Sequence, residues 1–304
     1  MAAAALASCS LGHAGHTSAV LAEQPVQERF SLGEFRKSTV HTPEAILTHQ
    51  FVDTANFHQG KLSHQVLAES APHLKGFVLH RVGGKPHKVT PYPADTTFYF
   101  GLSGNCTVEA DTSCGKPSVA PLLDGISVLV RNGANHRVSG HCDFAAATIA
   151  SGPWRTTHVR APDAGMVASP CGTGGISLLR MTNTSLLKPE STAHGKGINQ
   201  LSKRVHLSSG RIPGLKRVSV VKFMPGAEYE EQHNTASQVY LHLKGKGCKL
   251  SATETDGAKT EHSLFPSHFD VLHPGTASKA WNDADEPCEN LNLVLANPAD
   301  QELF

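Results

Sequence analysis

A strand-rich segment that occurs twice constrains the fold of this chain most strongly. Residues 97–108 read TFYFGLSGNCTV, and residues 238–250 read QVYLHLKGKGCKL. In both copies, aromatic and aliphatic residues lead to a glycine and then to a cysteine that opens another alternating run. The pattern predicts strand, tight turn and strand. Its recurrence indicates one supersecondary unit used twice. The sequence therefore predicts a tandem repeat of two similar β domains.

The composition agrees with an all-β protein of two domains. The 304 residues suffice for two cores of ordinary size. Only 17% of residues are charged, whereas the 27 glycines and 18 prolines supply many turns. The 27 basic residues nearly balance the 26 acidic ones, so we expect no nucleic-acid partner. No apolar run approaches the roughly 20 residues of a membrane helix, so we expect no membrane partner either.

Turn signals and composition divide the chain into four segments. Residues 1–30 lack periodicity and predict a disordered arm. Residues 31–153 predict an N-terminal barrel preceded by an extension, which we expect to pack on this first barrel as extra strands or a cap. Residues 154–216 predict a connecting segment, and residues 217–304 predict a C-terminal barrel.

The seven cysteines form no C-x-x-C motif, so a zinc ribbon is not indicated. Cys106 and Cys248 occupy equivalent repeat positions, as do Cys142 and Cys288. We interpret them as small, buried, apolar residues with reduced thiols, which predicts a cytoplasmic protein.

The first 22 residues contain no lysine, arginine or acidic residue. Their apolar stretch is too short for a convincing secretory signal, and organelle targeting is the alternative. Asn105-Cys-Thr and Asn183-Thr-Ser match the N-glycosylation pattern, but without a secretory signal we expect neither to be used.

The second repeat resembles the paired sequence signatures of the cupin superfamily, and the repetition resembles a bicupin. Gln238 lies where the first signature has a glutamate, and Glu231 and His233 lie at its histidine pair. Pro274-Gly275 matches the second signature, with Ser278 at the place of its histidine.

The first repeat resembles the same signatures less completely. Thr97 takes the glutamate place, and His136 follows the Asn132-Gly133 turn where the second signature has its histidine. His87, in a proline-rich loop, is a candidate to replace a member of the histidine pair. Tyr92 and Tyr99 are expected to face the same cavity as these candidate ligands.

The resemblance implies two tandem cupin barrels of the jelly-roll, or double-stranded β-helix, type. A cupin metal site presents three histidines and one glutamate, a set that suits Fe, Mn, Ni or Zn. The candidate ligands here are His87, His136, Glu231, His233 and Gln238. Neither half offers the full set, so a divalent first-row metal and no metal both stay open.

Two functions follow from the resemblance. The first is a small-molecule enzyme, an isomerase, lyase, decarboxylase or metal-dependent dioxygenase, acting on an organic metabolite inside a barrel. Its acid–base residues would be His136, or Glu231 with His233, and Tyr99 and Tyr240 would face the cavity. The alternative is a non-catalytic ligand-binding or storage-type bicupin. Whether two chains form a homodimer stays open.

Overall fold

The structure is a computed structural model. It describes residues 35–36, 49–52, 62–64, 74–150, 165–172, 176–191, 195–196, 201–208, 212, 214–253, 256–266, 269–272 and 274–296. The predicted disordered arm of residues 1–30 lies outside these ranges.

The regular secondary structure of the described part of the chain is almost entirely β-strand, as predicted. Its one helical element is a 3₁₀ turn, Thr184–Leu186, and no helix there could cross a membrane. The strands are β1 (Phe35–Arg36), β2 (His49–Val52), β3 (Leu62–His64), β4 (Leu74–Gly83), β5 (His87–Val89), β6 (Asp95–Ala110), β7 (Ser118–Leu123), β8 (Ile126–Val130), β9 (His136–Ala150), β10 (Leu179–Asn183), β11 (Glu190–Ser191), β12 (Gly195–Lys196), β13 (Leu201–Leu207), β14 (Leu215–Phe223), β15 (Glu228–Tyr229), β16 (Gln232–His233), β17 (Gln238–Lys244), β18 (Cys248–Thr253), β19 (Lys259–Ser263), β20 (Phe269–Leu272), β21 (Ala277–Asn282) and β22 (Cys288–Leu295).

Two long strands, β6 and β9, organise the N-terminal barrel. They pair with each other along most of their length, and β4, β5, β7 and β8 pair onto them. Alternate residues of β6 point to opposite faces, so Tyr99 and Val108 enter the barrel core while Phe98 and Phe100 face away from it. These strands surround a buried apolar interior.

The C-terminal barrel is built from two sheets. One has the order β20-β17-β22-β14-β13 at its centre, and the other has β15-β21-β18-β19. Val239 and Leu241 of β17 point away from the barrel core. Gln238, Tyr240 and His242 therefore share the inward face, as their alternation predicts.

The repeated segment is a bend in both copies, and the predicted tight hairpin was wrong. In the second copy, β17 and β18 belong to different sheets. In the first copy, β6 continues through the bend without interruption. Gly104 and Gly245 occupy the two bends at φ 75° and 88°. A Cβ atom would overlap the backbone carbonyl oxygen of His141 at the first bend and of Pro287 at the second, so the bends require glycine.

A third apolar cluster joins the two barrels. Phe77 of β4 contacts Phe269 of β20, with ring centroids 4.7 Å apart. A polar contact crosses the same interface. The buried His206 of β13 is hydrogen-bonded to Ser127 of β8 at 2.8 Å and to Thr184 at 2.8 Å. The two barrels therefore pack against each other through a buried cluster that is separate from their own cores.

The segments outside the barrels contribute strands to both of them. In the extension, β3 pairs with β4 of the first barrel, as expected, but β2 pairs with β20 of the second barrel. In the connecting segment, β10 pairs with β8, and β13 pairs with β14. Sequence reasoning placed the whole extension on the first barrel because strand partners distant in sequence leave no local signal.

The expectation of reduced thiols was wrong for the six cysteines that the structure describes. They form the disulfides Cys106–Cys142, Cys114–Cys171 and Cys248–Cys288, with Cα–Cα distances of 5.7, 5.7 and 5.9 Å. The first and third are equivalent in the two barrels and are buried, as predicted for these cysteines. The first joins the paired strands β6 and β9, and the third joins β18 to β22 of the other sheet. Both lie close to a glycine bend.

Candidate functional site

The inward face of the C-terminal barrel carries a chain of hydrogen-bonded amides. The Nδ2 atom of Asn292 donates to Oε1 of Gln238 at 3.1 Å, and Nε2 of Gln238 donates to Oδ1 of Asn234 at 2.5 Å. The Nδ2 atom of Asn234 donates in turn to Oγ of Ser278 at 3.0 Å. We call Asn234, Gln238, Ser278 and Asn292 the amide row. These neutral side chains use much of their hydrogen-bonding capacity on one another.

Glu231 and His233 lie outside the amide row. Both are exposed, whereas Gln232 is half-buried and Asn234 is buried. The residues that point inward are therefore Gln232 and Asn234, each one position later than the residue that the sequence pattern indicated. Strands β15 and β16 contain two residues each, so their sequence carries too little alternation to assign a face. His233 instead lines the cavity next to the amide row.

Tyr240 lies deeper in the same barrel. Burial raises the pKa of its phenol, as does the charge of Tyr229, while Arg217 and a hydrogen bond with Asn292 act in the opposite direction. The phenol is therefore neutral at physiological pH. It extends the polar face of the amide row toward the apolar core.

In the N-terminal barrel, Tyr99 and His136 form a buried pair. The Nδ1–H of His136 donates to the Ala134 carbonyl at 2.7 Å, which leaves Nε2 as an acceptor. The Tyr99 hydroxyl donates to that Nε2 at 2.6 Å. Burial raises the pKa of Tyr99 and lowers the pKa of His136. The hydrogen bond to Ala134 and the charge of Asp111 partly oppose the shift of His136, and the charge of His87 adds to it. Both side chains are therefore held neutral.

His87 and Thr97 lie in the same barrel but do not complete a set of ligands. The half-buried His87 ring lies 4.4 Å from the His80 ring, and burial lowers the His87 pKa. The buried Thr97 hydroxyl has no hydrogen-bond partner within the described part of the chain. The Nε2 atom of His136, which a metal would need, is already bonded to Tyr99.

A cavity of about 440 Å³ opens at the mouth of the C-terminal barrel. Lys203, Lys216 and Arg217 line it together with one carboxylate, Glu190. The buried Nε of Arg217 has no hydrogen-bond partner among the described residues. Burial lowers the pKa of Lys203, and Arg217 lowers it further, whereas Glu190 acts in the opposite direction. The cavity therefore presents excess positive charge.

The amide row connects directly with this cavity. Asn234 and Gln238 line it together with His233. Sequence reasoning identified Gln238 and His233 but missed Asn234, Lys203 and Arg217. The alternation of residues 217–223 was a usable signal for Arg217, because Val221 and Phe223 on the same face of β14 enter the barrel core.

Solved structures share this fold at low sequence identity. A variant of the Bacillus subtilis oxalate decarboxylase has a TM-score of 0.55 and 12% identity, covering 78% of this chain and 73% of that chain. The Lactobacillus farciminis oxalate decarboxylase, in a formate complex, has a TM-score of 0.53 and 14% identity, covering 79% and 82%. Oxalate decarboxylase is a bicupin. This chain has the bicupin fold. No protein-family model and no curated protein matches its sequence.

The metal site that the fold implies does not fit the residues of this chain. A Bacillus subtilis oxalate decarboxylase with Mn(II) centres has a TM-score of 0.54 and 12% identity to it, covering 81% of this chain and 72% of that chain. Here Gln232, Asn234, Gln238 and Ser278 have the spacing of the cupin ligands but supply only amides and a hydroxyl. Among the described residues, no three His, Cys, Asp or Glu side chains form a metal-binding group. Neutral amides bonded to one another are poor ligands for a first-row metal.

Proposed function

We propose that this bicupin binds a small organic anion at the mouth of its C-terminal barrel, through cationic side chains and without a metal in the amide row. The observation that carries the proposal is Arg217. It lines the cavity, and its buried Nε has no partner among the described residues. A guanidinium binds a carboxylate through two parallel hydrogen bonds, so a carboxylate ligand would satisfy this group.

The other lining residues favour the same ligand class. Lys203 and Lys216 add positive charge to that of Arg217, and Glu190 is the one carboxylate of the lining. Asn234 and Gln238 add polar atoms that orient a ligand without adding charge. The volume of about 440 Å³ suits a metabolite of modest size.

Isothermal titration calorimetry tests the proposal with oxalate, malonate and succinate as probes and succinamide as the neutral control. We expect at least one acid to bind and succinamide not to bind. Arg217→Met should weaken binding at least about tenfold, since a hydrogen bond to a charged group contributes about 1.5–3 kcal/mol. Glu190→Gln should strengthen it by removing the opposing charge.

Arg81→Met is the matched control. Arg81 is an arginine of the other barrel that forms an ion pair with Asp143 at 2.7 Å. Its replacement should leave binding unchanged. Equal weakening by both variants, or binding that a chelator abolishes, would contradict the proposed anion site.

Acid–base catalysis in the same cavity is the second candidate function. The lowered pKa of Lys203 favours it, because an amine closer to neutrality accepts a proton more readily. Incubating a bound acid in deuterated water and following deuterium incorporation by NMR tests this function. Exchange that Lys203→Met abolishes, with binding retained, would favour an isomerase or lyase. Binding without exchange would favour the non-catalytic function.

A further inference from the structure

The three disulfides point to the compartment in which the chain folds. Their Cα–Cα distances of 5.7–5.9 Å lie in the ordinary range for disulfides. Structural disulfides form and persist in oxidising compartments and are rare in the cytosol. Two of the bonds occur at the same place in both barrels, so they belong to the architecture that the repeats share.

The barrel disulfides are structural because their sulfur atoms are inaccessible. Cys106, Cys142, Cys248 and Cys288 are each at most 5% exposed. A thiol or disulfide exchanges only when a thiolate can reach it, so these bonds are unsuited to redox cycling after folding. The oxidant must act while the chain folds.

Asn105 presents a glycosylation sequence on the outer surface of the N-terminal barrel. It begins Asn105-Cys106-Thr107 in β6. Cys106 points into the core, so Asn105 and Thr107 point outward, and Asn105 is exposed. The Asn105 side chain makes no hydrogen bond to another described residue. A glycan attached there would extend into solvent without displacing core side chains.

Asn183 presents the second such sequence at the end of β10. Its Oδ1 accepts hydrogen bonds from the backbone N–H of Ser185 at 2.9 Å and from the Ser185 hydroxyl at 2.8 Å. This local turn brings the asparagine together with the hydroxyl of its own Asn-x-Ser sequence. The Nδ2 atom donates no hydrogen bond to another described residue, so it is available for substitution.

We propose that the chain matures in an oxidising secretory compartment and that Asn105 and Asn183 carry N-linked glycans there. In the transfer, Nδ2 forms a bond to C1 of the sugar and loses one proton. The bond between C1 and the phosphate oxygen of a lipid-linked sugar donor breaks. The donor and its transferase belong to the compartment. The proposal rests on the disulfides and the two asparagines, and it is independent of the ligand cavity.

Peptide mapping of the protein isolated from the cells that make it tests this proposal. Free thiols are blocked first, and samples are digested with and without peptide N-glycosidase, which converts a glycosylated asparagine to aspartate. We expect the three disulfide-linked peptides, with aspartate at positions 105 and 183 only after glycosidase treatment. Blocked thiols at Cys106 or Cys142, or unmodified asparagine at both positions, would overturn the proposal.

Variants expressed in the same cells separate each site. Thr107→Val and Ser185→Ala keep the asparagines but remove the hydroxyl that the pattern requires, so each should remove one glycan and increase gel mobility by one step. Asn135→Gln replaces an exposed asparagine outside any such pattern and should leave mobility unchanged. Retention of both glycans in the Thr107 and Ser185 variants would contradict the assignment. An unchanged far-ultraviolet circular dichroism spectrum would show that the variants fold.

Discussion

Acidification is expected to weaken the contact between the two barrels through His206. The Thr184 hydroxyl donates its hydrogen to the Gly125 carbonyl at 2.6 Å, so toward His206 it accepts from Nε2–H. The Nδ1 atom then accepts from the Ser127 hydroxyl at 2.8 Å. A neutral imidazole therefore satisfies every group at this buried contact, and its protonated form is disfavoured by burial.

The pKa of His206 sets the size and direction of the effect. Burial lowers it from 6.5 to about 4 in the folded chain. One unit corresponds to about 1.4 kcal/mol, so this shift corresponds to about 3 kcal/mol in the free energy of unfolding. Between these two pKa values the unfolded chain binds the proton and the folded chain does not. The contribution is therefore complete above pH 6.5 and is lost as the pH falls to about 4.

The assay is urea unfolding of the native protein and of His206→Gln at several pH values across this window. Glutamine stays neutral, so the variant lacks the His206 contribution to the pH dependence. His87 and His136 also have lowered pKa values, but both proteins contain them and their effect cancels in the difference. On acidification, the free energy of unfolding of the native protein should fall by about 3 kcal/mol more than that of the variant. Parallel curves, or an NMR titration of His206 near pH 6.5, would refute the reasoning.

Two further substitutions test the barrel interiors and bends. Tyr99→Phe removes the only described donor to Nε2 of His136 and should cost about 1–3 kcal/mol of stability, measured by urea unfolding. An unchanged midpoint would contradict that hydrogen bond. Gly104→Ala should cost about 1–3 kcal/mol more than Gly115→Ala. Both glycines have φ near 75°, but only at Gly104 would the Cβ meet the His141 carbonyl. Equal losses would show that the bend tolerates a side chain.

The sequence alone determined that the chain forms two similar β-barrels. That inference depended on local features repeated in order, namely strand alternation, the glycines at 104 and 245, and the following cysteines. It also identified the inward face of β17, because seven residues with a regular alternation are enough to define a face. The cupin resemblance was read from the same glycine and strand framework.

Only the tertiary structure decided the chemistry of the two interiors. Around the two-residue strand β16, the assignment of Glu231 and His233 to the inward face fails by one residue. A shift of one residue exchanges the two faces of a strand. The structure brings Asn234, Lys203 and Arg217 to the cavity from three different parts of the chain.

The sequence also did not predict the disulfides or the contact at His206. Equivalent cysteines revealed a repeat, but bonding Cys106 to Cys142 requires a short distance across two strands that are 36 residues apart in the chain. Likewise, the partners of His206 lie 79 and 22 residues away. Local patterns specify strands and bends because their causes lie within a few residues. Distant partners depend on the register and packing of strands, which only the folded chain establishes.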